Sequence, residues 1–77
     1  MTGFKITTLK AFIATENDGT EGVMAALHGD TWLPLVCADD ARVESCREMA
    51  KRIGKITGVK KIVLAKFSVR EDLEEIN

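Results

Sequence analysis

The chain has no tyrosine, one tryptophan, one proline, one histidine and two cysteines among its 77 residues. Two thiols are too few for the disulfide framework that holds small secreted domains. Together with His28 they are also too few for a structural zinc site, which takes about four ligands. Cys37 and Cys46 are therefore read as reduced thiols filling core space, and no metal or cofactor is expected. No apolar run approaches the roughly 18 residues of a membrane span. Met1-Thr2-Gly3-Phe4-Lys5 holds no apolar stretch of signal-peptide type, so the expected address is cytoplasmic.

Hydrophobic residues make up 45% of the chain and charged residues 30%, ordinary proportions for a globular domain. The expectation is one domain over residues 1–77. A core of this size rarely supplies more than about 3–5 kcal/mol, so such domains commonly lean on a staple or a partner. The net charge of −1 conceals segregation. Lys5 and Lys10 against Glu16, Asp18, Glu21, Asp30, Asp39 and Asp40 give −4 over residues 1–40. Arg47, Lys51, Arg52, Lys55, Lys60, Lys61 and Lys66 against Glu48 give +6 over residues 47–66. Arg70 against Glu71, Asp72, Glu74 and Glu75 gives −3 at the end. Charge divided in this way suits electrostatic docking, to a second copy or to another partner.

Residues 5–15 are rich in β-branched and apolar side chains and predict a strand, which Asn17-Asp18-Gly19 turns into a second strand over 21–28. His28-Gly29-Asp30-Thr31 fits a II′ hairpin turn into a third strand over 31–37. Pro34 lacks the N–H that a ladder needs, which places that strand at an edge or marks a bulge. Asp39 suits a helix N-cap and Ala38/Val43 a hydrophobic staple. Val43, Cys46, Ala50, Ile53 and Thr57 then form an apolar stripe at helical spacing. Gly58 suits the left-handed residue past the helix end, with Gly54 the earlier alternative. Residues 60–67 predict a last strand, expected to pair with the first. Ser68-Val69-Arg70-Glu71 matches a capping box, and Val69, Leu73 and Ile76 predict a short helix over 69–76. The fold class is thus α+β, a two-layer sandwich. A small, mostly antiparallel four-stranded sheet in the order βββαβ carries one long helix on one face, and a short C-terminal helix follows.

A sheet covered on one face should alternate apolar-in and polar-out. These strands do not. Val63, Ala65 and Phe67 oppose Ile62 and Leu64, and Leu33, Leu35 and Cys37 oppose Trp32, Pro34 and Val36. One helix covers one face, which leaves apolar strand surface that monomers rarely expose. The expectation is a homo-oligomer, a dimer, whose interface uses Trp32, Leu33, Leu35, Ile62 and Leu64. The competing reading is a lid formed by the chain's own ends.

Signals for catalysis are weak, and the chain is read as no enzyme. His28 beside Asp30 sits in a turn where both are ordinarily solvated. Asp39-Asp40 is accounted for by helix capping. Cys37 has no basic partner to activate it. Asn17–Gly22 lacks the Lys-Ser/Thr of a P-loop and the spacing of an EF-hand. Nucleic-acid binding is the stronger rival, through the helix over 42–55 and the loop after it. Arg47, Lys51, Arg52, Lys55, Lys60 and Lys61 would follow phosphates, although no aromatics interleave for base stacking. In size, layout and segregated charge the chain resembles the small inhibitors that phages carry against host defence, such as anti-CRISPR proteins. The likeness involves no motif. It implies a protein-binding inhibitor or accessory protein whose acidic ends (Glu16, Asp18, Glu21; Glu71, Asp72, Glu74, Glu75) occupy a nucleic-acid groove on the target.

Overall fold

A computed structural model of the chain describes residues 5–76. It is an α+β fold with antiparallel sheets and one helix. The elements are β1 (Leu9–Thr15), β2 (Glu21–Val23), β3 (Ala25–His28), β4 (Thr31–Pro34), β5 (Val36–Cys37), α1 (Asp40–Thr57) and β6 (Lys61–Phe67). β1 is the hub. β6 pairs with it antiparallel over its whole length, from Leu9↔Phe67 to Thr15↔Lys61. The other edge of β1 is shared. β2 takes its C-terminal half, with Ile13↔Val23, and β5 its N-terminal half, with Ala11↔Val36.

Between those halves sits the device that shapes the fold. Met24 and Leu35 face each other across the hairpin, where a regular ladder would have them exchange two bonds or none. They keep one, Leu35 N–H to the Met24 carbonyl at 2.8 Å. Phe12 closes the rest of the ring. Its N–H donates to the Leu35 carbonyl at 3.1 Å, and its carbonyl accepts from Met24 N–H at 2.8 Å. All three residues are buried, so these three bonds keep their backbone groups from being stranded away from water. The junction also divides the two middle strands expected from the sequence. Below it β2 and β5 pair with β1. Beyond it β3 and β4 pair only with each other, as a ribbon separate from the main sheet.

The ribbon turns at Gly29, whose φ of +63° beside a negative-φ Asp30 is the II′ combination. Pro34 ends β4 opposite Ala25, with no neighbour on its outer side to require the missing N–H. Where the sequence predicted a three-strand meander, β5 instead pairs with β1.

α1 begins at Asp39, whose carboxylate accepts from Arg42 N–H at 2.9 Å, and ends at Gly58, φ +68°, whose N–H donates to the Gly54 carbonyl. Gly54 therefore lies inside the helix. Val43, Cys46 and Ala50 are buried against Phe12, Met24, Leu35 and Cys37, with Ile53 and Ile62 at the margin. The strand predicted from residue 5 starts only at Leu9, where β6 first supplies a partner.

The C-terminal helix predicted over 69–76 is not formed, and residues 68–76 carry no regular structure. A helix of eight residues cannot hold itself without burying a face. Here Val69, Leu73 and Ile76 are 95%, 83% and 81% exposed.

Two substitutions test where the core lies. Leu35→Ala removes a side chain from the centre of the junction and is expected to cost about 2–5 kcal/mol, enough to unfold most of a domain this small. Trp32→Ala, on the ribbon, is expected to change stability by less than about 0.5 kcal/mol. Urea denaturation followed by circular dichroism measures both, and equal losses would contradict the assigned core.

Candidate functional site

Three surfaces stand out, and each follows from strand parity or helix placement. The first is the sheet face away from α1. Because Phe12 and Ala14 face the helix, Leu9, Ala11 and Ile13 face the other way, as do their partners Phe67, Ala65 and Val63 on β6 and Val23 on β2. Ala11 is shielded by its neighbours, but Leu9, Val23, Val63 and Phe67 are exposed, Phe67 by 54%. A shallow depression of about 250 Å³ lies among Ile13, Val23, Val63, Ala65 and Phe67. At the end of β1 the Thr15 hydroxyl is shielded and makes no hydrogen bond among the described residues.

The second is the β3–β4 ribbon. The pair Leu27↔Trp32 shares one of its faces, and Trp32 is 65% exposed. Among the described residues neither strand has a further partner, and a two-stranded ribbon is only marginally stable without one.

The third is a basic groove between the C-terminal half of α1 and the start of β6. It encloses about 610 Å³, with Lys51, Arg52, Lys55, Lys60 and Lys61 on its walls and Gly54, Val59 and Ile62 on its floor. Glu48 is the one acidic residue in the lining, with its carboxylate 3.8 Å from the Lys51 ammonium. The floor is tight: a Cβ on Gly54 would come within 2.5 Å of Ile62 Cδ1, so α1 runs close against β6 there.

These positions revise the interface expected from the sequence. Leu35 is 3% exposed and belongs to the junction, and Ile62 packs beneath α1 and is reached only through the basic groove, so neither lies on the open sheet face. Leu64 is as exposed as Val63, at 38%, but lies on the helix side, in a cleft with Lys10, Asp40 and Arg47. Trp32 and Leu33 are exposed, on the ribbon and not beside β6. The open face belongs to the opposite parity of β6, Val63-Ala65-Phe67. Of the six cations proposed for nucleic acid, five line the groove. Arg47 stands apart, its guanidinium 2.8 Å from Glu44.

Of the residues considered for chemistry, Asp18, Asp39, Asp40 and Cys37 have structural roles. Asp40 pairs with Lys10, whose ammonium holds its carboxyl below the usual carboxylate range. Asp18 accepts from the N–H and hydroxyl of Thr20 inside its turn, which lowers its pKa likewise. Burial pushes the Cys37 thiol up, and the neighbouring Cys46 adds to the rise, the reverse of what a nucleophile needs. Both cysteines are free and buried. Among the described residues no cluster of three or more His, Cys, Asp or Glu is placed to hold a metal ion, and no helix is long and apolar enough to cross a membrane. No protein family, curated protein or solved structure matches the chain.

Thiol titration tests the cysteine assignment. Cys37 and Cys46 are expected to ignore Ellman's reagent at about pH 8 in the native protein and to react together once guanidinium unfolds it. Rapid native labelling of either thiol would place it outside the core.

Proposed function

We propose that this chain is a non-catalytic binding module that works as a homodimer, joined open sheet face to open sheet face. The observation that carries the reading is the uncovered apolar surface of β1, β2 and β6. The accessible surface of 6491 Å² is far above the roughly 4,650 Å² expected of a compact monomer of 8.5 kDa. Part of that excess lies in the extended residues 68–76. The remainder includes Leu9, Val23, Val63 and Phe67, the residue types that a sheet normally buries. Sheets stack about 10 Å apart, so a two-fold axis between two open faces would bury these side chains against their own copies. The assembly then has the layers helix, sheet, sheet, helix, and the charged helix faces and the ribbons remain free for a further partner.

Size-exclusion chromatography with light scattering is expected to give twice the chain mass at micromolar concentration. Val63→Asp should yield a folded monomer, because it places a charge in the interface. Ile62→Asp should instead destabilise the fold, because that side chain lies under α1. A wild-type monomer at high concentration, or a Val63→Asp dimer, would end the proposal.

A second reading has one specific observation in its favour, the five cations around the groove. Such a groove suits a phosphate backbone, with salt-dependent and sequence-indifferent affinity. Its lining holds no aromatic residue for stacking bases. A mobility shift on mixed DNA and RNA that appears at low salt and is abolished by Lys55→Glu with Lys60→Glu would favour it. The absence of any shift at low salt removes it.

A further inference from the structure

We infer that residues 68–76 of one copy dock as a short acidic helix into the basic groove of the other copy, an inference that rests on the homodimer proposed above. Two features of the chain are incomplete in complementary ways. The segment carries Glu71, Asp72, Glu74 and Glu75, and its Val69, Leu73 and Ile76 are exposed. The groove carries Lys51, Arg52, Lys55, Lys60 and Lys61 over an apolar floor of Val59 and Ile62, and Ile56 next to it is 79% exposed.

In a helix, Val69, Leu73 and Ile76 fall on one stripe, and the four acids occupy the flanks and back. The Ser68-to-Glu71 capping box is in place to start that helix. What the isolated chain lacks is a surface to bury the stripe, and the groove offers one, with cationic walls that complement the acids.

The geometry favours the second copy over the chain's own groove. The segment leaves β6 at Phe67, whereas the groove lies at the Lys61 end, about 20 Å back along the strand. An eight-residue helix spans only about 12 Å. Arg70 also fixes the start of the segment at the Phe67 end, donating to the Ile6 carbonyl at 3.0 Å and to Asp72 at 2.7 Å. When two open faces stack about a two-fold perpendicular to the strands, β6 lies antiparallel over its copy. The Phe67 end of one then meets the Lys61 end of the other. Lys61 belongs to the open-face parity of β6 and also lines the groove, so the two surfaces are continuous.

Complementary charge reversal tests the inference. One variant carries Lys55→Glu, Lys60→Glu and Lys61→Glu; the other carries Glu71→Lys, Glu74→Lys and Glu75→Lys. Each alone is expected to dimerise about tenfold more weakly in analytical ultracentrifugation, a loss of about 1.4 kcal/mol. Mixed together they should recover, since each acidic partner then meets a basic one. Hydrogen exchange should show the amides of 69–76 protected in the wild-type dimer and in the mixture, but not in either variant alone.

Equal affinities for all forms, with Val63→Asp still monomeric, would overturn the docked segment and leave the face-to-face dimer standing. Protection of 69–76 in the Val63→Asp monomer would overturn docking between copies in favour of docking within one chain. A wild-type monomer with unprotected 69–76 would overturn both.

Discussion

The ring of three backbone hydrogen bonds among Phe12, Met24 and Leu35 is the constraint on which the rest of the molecule depends. A strand has two edges, and β1 must serve three segments on them. β6 claims one edge entirely. The other is divided at Phe12, whose N–H and carbonyl go to different strands. Because all three residues are buried, each missing bond would strand a polar group away from water at a cost of about 1–3 kcal/mol. The side chains of these residues also form the floor on which Val43, Cys46 and Ala50 pack. Backbone topology and core packing are therefore set at one point.

Two consequences follow for the surface. The segments beyond the junction can pair only with each other, so the β3–β4 ribbon lies outside the main sheet with Trp32 and Leu27 exposed. α1 must sit on the face to which Phe12 turns, so the opposite parity of β1 and β6 is uncovered. The protein has an elongated outline, 40 × 25 × 24 Å, and among the described residues the core beneath α1 is a small cluster of seven buried side chains. A core that small yields only a few kcal/mol, and an interface over the open face would add to it from outside the chain.

Charge follows the same division. Lys51, Arg52 and Lys55 of α1 converge with Lys60 and Lys61 on a single groove where Gly54 lets the helix come close to Ile62. The acids of residues 71–75 emerge at the far end of β6. The proposed two-fold dimer would set the basic groove of one copy beside the acidic segment of the other.

Local chemistry alone determined the helix and its two ends, since the Asp39 cap, the Gly58 left-handed stop and the Val43-Cys46-Ala50 stripe each act within a few residues. It also determined the Gly29 turn and the excess of apolar strand surface. Tertiary structure decided what depended on distant partners. The parity of β6 was ambiguous because both of its faces are apolar, and a one-residue choice exchanges Ile62 and Leu64 for Val63 and Phe67. Only the register with β1, which sets Leu64 opposite Phe12, resolves it. The division of the hairpin at Met24 and Leu35 had only Pro34 as a local sign, because it comes from Phe12, a residue 12 positions before one and 23 before the other. The helix over 69–76 had every local signal and did not form, because a helix so short exists only where another surface takes up its apolar side.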